Sequence, residues 1–246
     1  MVSTRGDLIG KEAVRSVLRQ ASRIAVLTGA GVSAESGIPT FRGPGGIWRT
    51  YKAEDLATPE AFARDPKFVW EWYDYRRSVI AEVEPNAGHR ALVKLEERVG
   101  EFTLITQNVD GLHDRAGSRK ILKVHGDIWM VRCTVCGQER EEKSVRLSEI
   151  PPRCDCGGIE RPGVVWFGEA LPPLVWEHAK RAVQQVEVLL VVGTSAVVHP
   201  VAGLADLAKS RGAVVVEVNV AETPVTAGAD YSLRGPAAAI LPELFA

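Results

Sequence analysis

Net charge, long apolar runs and internal repeats are all missing from this chain, and each absence removes a class of function. Its 30 Lys and Arg side chains face 31 Asp and Glu, for a formal net charge of −1. No concentrated positive field is therefore available to capture nucleic acid or an anionic membrane, and a partner has to be chosen by shape and local chemistry. The longest charge-free apolar runs, Val188–Val192 and Ala213–Val216, fall well short of the roughly 18 residues that cross a bilayer. The N-terminal stretch carries Arg5, Asp7, Lys11 and Glu12 and no apolar core, which fits neither a secretory signal nor an acid-poor transit peptide. A cytoplasmic protein without membrane partners is expected. The 246 residues suit one large domain or one domain with a small insertion.

Cysteine is also scarce, yet its four positions are paired. Cys133-Thr-Val-Cys136 is followed, after 17 residues, by Cys154-Asp-Cys156, close to the spacing of a zinc ribbon. Disulfides are disfavoured in a reducing compartment. Four thiolates would close a tetrahedral shell and leave no position for water, which suits structural Zn2+ and not catalytic Zn2+. A redox pair or free buried thiols are the alternatives. The second pair is C-x-C where C-x-x-C is usual, and Gly137, Gly157 and Gly158 supply turns beside both pairs.

Apolar patterning gives the fold class. Leu8, Ile9, Ala13, Val14, Val17 and Leu18 are spaced as one face of a helix. Four apolar runs then end in polar residues: Ile24–Leu27 at Thr28, Phe102–Ile105 at Thr106, Val186–Val192 at Gly193, and Ala213–Val218 at Asn219. Runs of this kind suit a parallel sheet covered on both faces, with helices over Pro173–Gln185 and Pro200–Arg211 between them. A short helix over Ala237–Phe245, interrupted near Pro242, closes the chain. An α/β, Rossmann-like fold is expected, formed by residues 1–42, 100–129 and 163–246. Residues 43–99, rich in helix formers and aromatics, and 130–162, which hold the cysteines, read as two excursions packed together as a smaller lobe. Ligands of such sheets bind at the carboxyl ends of the strands, near the topological switch point, where all four polar segments fall.

Gly29-x-Gly31-x-x-Ala34 follows the first strand and satisfies a loose dinucleotide fingerprint, although a tight strand-to-helix turn without a ligand would use similar residues. The acidic strand end expected about 20 residues later is absent, and Phe41-Arg-Gly-Pro-Gly-Gly-Ile47 stands there instead. That argues against an ordinary hydride-transfer dehydrogenase. Asn108 and Asp110 share one loop and are able to fix a carboxamide and a ribose edge, or simply to form an Asx turn. His125 stands between an apolar-leaning strand and Gly126, with an ordinary pKa suited to accepting a hydroxyl proton at neutral pH.

Taken in order, Gly29–Gly43, Thr106–His113, Val124-His-Gly126, the cysteine pairs, Arg161-Pro-Gly-Val-Val-Trp-Phe-Gly-Glu169, Gly193-Thr-Ser195 and Asn219 resemble the sirtuins, the NAD-dependent protein-lysine deacylases. The resemblance runs from about residue 10 to the C-terminus. It implies NAD as cosubstrate and His125 as the base acting on the ribose, with nicotinamide released and the acyl group passed to ADP-ribose as the 2′-O-acyl ester. It further implies that Gln107, Asn108 and Asp110 line the nicotinamide and ribose pocket and that Arg42 and Ser33 contact phosphate or ribose. Phe41 would shield the reactive carbon, with Gly29, Ala30, Gly31, Thr40 and Trp48 completing that side. Gly193, Thr194, Ser195, Asn219, Val220, Ala221 and Ala237 would hold the adenosine half. An acylated-lysine peptide would enter as an added strand against Val165, Trp166, Phe167 and Gly168, facing Val197–Pro200.

Tyr73 and Arg76 are i and i+3 on a predicted helix and share a face. A hydroxyl and a guanidinium aimed together can clamp a carboxylate; an exposed aromatic-basic face is the alternative. With small Ala57 widening the pocket, Tyr-x-x-Arg is similar to the sirtuin class that removes succinyl and malonyl groups. Deacetylation, desuccinylation and demalonylation are expected. Mono-ADP-ribosyl transfer or NAD hydrolysis by the same site, and a zinc-ribbon binding module with a vestigial nucleotide fold, are the competing readings.

Overall fold

The computed structural model describes residues 5–39 and 56–245. Helix α1 (Arg5–Gln20) leads into β1 (Arg23–Thr28). With β2 (Glu101–Thr106), β3 (Ile121–Lys123), β7 (Val188–Val192), β8 (Val214–Asn219) and β9 (Tyr231–Arg234), β1 forms a six-stranded sheet of order β3-β2-β1-β7-β8-β9. Every pairing in it is parallel, from Ile24 opposite both Phe102 and Val188 to Val216 opposite Tyr231. The expected strands are present, each shifted by one or two residues at its ends. The order reverses between β1 and β7, so the crevice predicted by topology opens beyond Thr28 and Val192.

Alternation along each strand loads both faces. Ile24, Val26, Leu190, Val192 and Val216 face one core, and Ala25, Leu27, Leu189, Val191 and Val215 the other, which is why these strands read as unbroken apolar runs. After the short helix α5 (Leu112–Ala116), the second face is covered by α6 (Pro173–Gln185), through Ala179 and Val183, and α7 (Leu204–Ser210), through Ala205 and Ala208. The helix expected from Pro200 starts as a 3-10 turn over Val201–Gly203 before becoming α-helical. The terminal helix α8 (Ala237–Leu244) runs through Pro242 without a break; Ile240, Leu241 and Leu244 are buried on the first face and hold it in place.

A third core lies beside the sheet. It joins α2 (Pro59–Arg64) and α3 (Pro66–Ala81) to a three-stranded antiparallel sheet of order β5-β4-β6, made from β4 (Gly126–Cys133), β5 (Glu139–Glu141) and β6 (Glu160–Val164). Phe62, Trp70, Trp72, Tyr73, Ile128, Val131 and Trp166 pack there in one cluster. Side chains from both segments meet in this one cluster. Helix α4 (Ala87–Arg98) buries Ala91, Leu92 and Leu95 in the main core, so the helical excursion ends near Asn86, whose side chain caps α4. The ribbon excursion extends to Gly126 and Val164, because β4 and β6 pair at those residues.

Both starts of the aromatic helices are dictated locally. Thr58 accepts a hydrogen bond from the Ala61 N–H and Asp65 from the Phe68 N–H, each followed by a proline in the first turn, the arrangement that satisfies N-terminal amides and needs no donor from proline. Among the described residues no helix is long and apolar enough to cross a membrane.

Candidate active site

A cavity of about 600 Å³ lies between the strand ends of the six-stranded sheet and the third core, within the size range of small-molecule sites. One wall is the switch point. There Gly29, Ala30 and Gly31 face Gly193, Thr194 and Ser195, and the two turns touch through backbone: the Gly29 N–H donates to the Val192 carbonyl at 3.1 Å and the Gly31 N–H to Gly193 at 2.7 Å. A Cβ on Gly31 would sit 2.7 Å from the Gly193 oxygen, and one on Gly29 would sit 2.7 Å from the Thr194 Cβ. The glycines are thus required first by turn-to-turn packing, a reason the fingerprint reading did not contain.

The same wall continues into Asn219, Val220 and Ala221. The Asn219 amide donates to the Thr194 carbonyl at 2.7 Å, and the Gln107 amide donates to the Thr194 hydroxyl at 2.9 Å, so three separate strand ends are laced around one threonine. No carboxylate stands on the β1 and β7 turns that line this wall. Backbone N–H groups and neutral amides are a donor set that fits a dinucleotide pyrophosphate and its riboses, with the Glu222 carboxylate next to Ala221 on the same lining.

Gln107, Asn108 and His125 line the middle of the cavity. His125 sits where the chain leaves β3 and enters β4, a corner that Gly126 makes possible: its φ is +79° and a Cβ there would lie 2.2 Å from the Gly163 oxygen. The imidazole Nδ1 is 3.2 Å from the Gln107 carbonyl oxygen. A carbonyl only accepts, so Nδ1 carries the proton and Nε2 is left with its lone pair. Burial lowers the His125 pKa below the ordinary value, partly opposed by that carbonyl, and the ring is held neutral.

Ser33 and Asp110 stand behind this lining and not in it. The Ser33 hydroxyl donates to Asp110 Oδ2 at 2.8 Å and accepts from the Asn108 amide at 3.1 Å; Asp110 Oδ1 accepts from the Leu112 N–H. Burial pushes the Asp110 carboxyl upward against these hydrogen bonds. Two buried histidines complete the layer. His89 accepts at Nδ1 from the Asn86 N–H and approaches Ser33 with Nε2, while His113 Nε2 lies 3.0 Å from the Thr28 hydroxyl, which is bonded to Thr106. Burial drives His89 down to about 4 and His113 to about 3. No sequence spacing signals that His89 and His113 meet, with ring centroids 4.8 Å apart, beside Ser33 and Thr28. Ala237 is likewise away from the cavity, buried at the start of α8 against the main core. Thr40, Phe41, Arg42 and Trp48 lie outside the described residues.

The far wall brings together Ala57, Tyr73, Arg76 and the segment Val165–Gly168. Tyr73 and Arg76 project from α3, and both are nearly inaccessible to solvent, at 2% and 7% exposure, which excludes the exposed-face alternative. The Arg76 guanidinium stacks at 4.8 Å over Trp72 and 5.6 Å over Tyr73. Burial raises the tyrosine pKa and lowers that of the arginine, each offset by the other's charge. Val197–Pro200, the other edge read for the peptide, also line the cavity, as do Trp72, Val109, Leu171 and Pro224, which carry no signal in the sequence. The amides of Val165, Trp166 and Phe167 donate to the His125 carbonyl, Glu169 and the Ala57 carbonyl respectively, so this edge offers an incoming strand carbonyls before amides.

The four cysteine sulfurs lie within 4.8 Å of one another, with 3.4 Å between Cys133 and Cys156 and 3.7 Å between Cys136 and Cys154. These separations are too long for a disulfide and match the roughly 3.7 Å edge of a tetrahedron with 2.3 Å Zn–S bonds. The amides of Cys136 and Val135 pull the Cys133 thiol down to about 6. The Cys156 amide also draws Cys154 down, but burial and the neighbouring sulfurs push it up to about 12, an opposition that a bound dication removes. The residues fit structural Zn2+, C-x-C half included.

With this geometry in view, four similarities carry weight. The Sir2 family profile matches residues 29–200. An NAD-dependent protein deacylase of Aquifex aeolicus is 56% identical over 223 residues, covering 90% of this chain and 93% of its own. Among solved structures, a Sir2 homologue bound to NAD superposes with a TM-score of 0.91 at 49% identity, covering 95% of this chain and 92% of the other. A mutant Sir2 homologue bound to 2′-O-acetyl ADP ribose gives 0.90 at 48% identity, covering 95% and 94%. The chain belongs to the Sir2 family.

Proposed function

We propose that this chain is an NAD-dependent protein-lysine deacylase of the cytoplasm that removes succinyl and malonyl as well as acetyl groups. The observation that carries the reading is one cavity lined by the nucleotide-type turns, by His125 and by the buried Tyr73–Arg76 pair. The named relatives and the acetyl ADP ribose complex support the class of reaction. NAD supplies, on loss of nicotinamide, an electrophilic ribose carbon. The residues do the rest. Gly29–Gly31 and Gly193–Ser195 form one wall of two touching turns against which the nucleotide lies, and Gln107 and Asn108, backed by Ser33 and Asp110, fix its nicotinamide end. Val165–Gly168 align the acyl-lysine peptide. His125 Nε2 takes a ribose hydroxyl proton once the acyl oxygen is bonded at that carbon; the freed hydroxyl oxygen bonds the acyl carbon, the C–N bond to lysine breaks with release of the amine, and water completes the ester on the sugar. Phe41, Arg42, Thr40 and Trp48 are assigned to the nucleotide side as well.

Tyr73 and Arg76 supply the acyl selectivity. A buried hydrogen bond to a charged group contributes about 1.5–3 kcal/mol, roughly ten- to hundredfold, and Ala57 leaves room for the longer chain. The test is a parallel assay of acetyl-, succinyl- and malonyl-lysine peptides with NAD, scoring acyl-ADP-ribose by mass, for the native enzyme and Arg76→Met. The variant should lose far more activity on succinyl- and malonyl-lysine than on acetyl-lysine. Equal losses would refute the clamp, and ADP-ribose found on protein with no acylated nucleotide would refute deacylation.

A further inference from the structure

The Tyr73 hydroxyl is tied to a chain of three further side chains that the clamp alone does not require. Trp166 Nε1 lies 3.0 Å from the Tyr73 oxygen, with both residues buried. An indole N–H only donates, so the tyrosine oxygen must accept, and its own proton is left to be donated elsewhere. No acceptor for that proton occurs among the described residues, and Tyr73 lines the cavity. The indole is itself clamped. The Arg161 guanidinium lies 3.4 Å over its ring, bonded in a fork to Glu169 at 2.5 and 2.9 Å. Glu169 Oε2 also accepts the Trp166 backbone N–H. Glu169, Arg161 and Trp166 thus fix the orientation of one N–H bond, and that bond decides which way the phenol proton points.

We infer that Trp166, held by Arg161 and Glu169, is a positioning residue for acyl selectivity: by occupying the acceptor side of the Tyr73 hydroxyl it turns that hydroxyl into an obligate donor to the acyl carboxylate. This adds a second donor beside the Arg76 guanidinium, which has donors alone. A carboxylate satisfies both; an acetyl methyl satisfies neither. The inference rests on the acidic-acyl reading, and the test separates the two.

The experiment is a double-mutant cycle on the ratio of kcat/KM for succinyl- over acetyl-lysine peptide, using Trp166→Phe, Tyr73→Phe and both together. Tyr73→Phe alone tests the clamp: an unchanged ratio overturns the acidic-acyl reading and this inference with it. With that reading intact, Trp166→Phe should lower the ratio about three- to tenfold, the size of one neutral hydrogen bond. In the Tyr73→Phe background it should change the ratio less than about twofold, because the hydroxyl it acts through is gone. Should Trp166→Phe fold poorly, 3-benzothienylalanine at position 166 exchanges the N–H for sulfur with the shape kept, and should lower the ratio to the same extent. A positioning role is overturned if the change at 166 lowers both substrates equally, or lowers the ratio as much without the Tyr73 hydroxyl as with it.

Discussion

The N–H of Gly31 meets the carbonyl oxygen of Gly193 at 2.7 Å, backbone against backbone, where the sheet order reverses. Neither residue has room for a side chain. A Cβ on Gly31 would approach the Gly193 oxygen, Cα and carbonyl carbon at 2.7, 2.8 and 3.0 Å, and backbone cannot swing aside as a flexible side chain can. Gly31→Ala should therefore separate the two turns, lowering stability by about 1–3 kcal/mol and raising KM for NAD more than KM for the peptide. Thermal unfolding and initial rates at varied NAD check it; an unchanged KM for NAD would show that the contact is not what shapes the nucleotide wall.

The tautomer of His125 makes a pH prediction. Gly126 places the ring, the Gln107 carbonyl holds the proton on Nδ1, and burial keeps the pKa below the ordinary 6.5. Proton acceptance at Nε2 needs the neutral ring, so kcat/KM should be flat above pH 6.5 and fall on the acid side with a midpoint under that value. His125→Ala should reduce kcat by about 10²–10⁴, the usual size of general-base catalysis, with folding intact. An acid limb centred above 6.5, or an active alanine variant, would remove His125 from the role of base.

Strand ends were legible in the sequence because buried parallel strands leave unbroken apolar runs that stop at polar turns, and the site residues at those ends followed directly. Tyr73 and Arg76 were legible as a pair from helical spacing alone. Their burial was not, since it depends on β4 and β6 arriving from 50 to 90 residues away to cover α3. The same limit hid the role of Trp166, whose partner Tyr73 is 93 positions distant. Helix α4 went to the wrong lobe in the sequence reading because amphipathic helices announce a buried face without saying which core it enters. Ser33 and Asp110 look like lining residues in a linear motif, whereas side-chain hydrogen bonding turns them inward toward each other.

The cysteine cluster should be required for the lobe that carries the acyl clamp. Zinc-binding free energies in small ribbons are on the order of 10 kcal/mol, more than a lobe of this size holds in reserve. Cys156→Ser, or removal of metal with a strong chelator, should unfold β4–β6 and silence the enzyme, and Zn2+ added to the chelated protein should restore both. Circular dichroism and deacylation followed together test this. A metal-free protein that stays folded and active would contradict it.

Acid should destabilise the protein through two histidines that take no part in the chemistry. His89 and His113 are buried as neutral rings, with pKa values held at about 4 and about 3 by burial, while an unfolded chain titrates them near 6.5. Between those limits the unfolded state binds protons that the folded state refuses, so stability is full above about pH 6.5 and declines as pH falls toward 4. Each group contributes about 1.4 kcal/mol per pH unit over that window, enough to lower the melting temperature by several degrees per unit in a domain of this size. His113 shows the strain most directly, because its Nδ1 is buried without a partner; His113→Gln should flatten the dependence of the melting temperature on pH even if it lowers the plateau. A variant with the same slope as the native protein between pH 6.5 and 4 would mean that other groups bind the protons released into the unfolded chain.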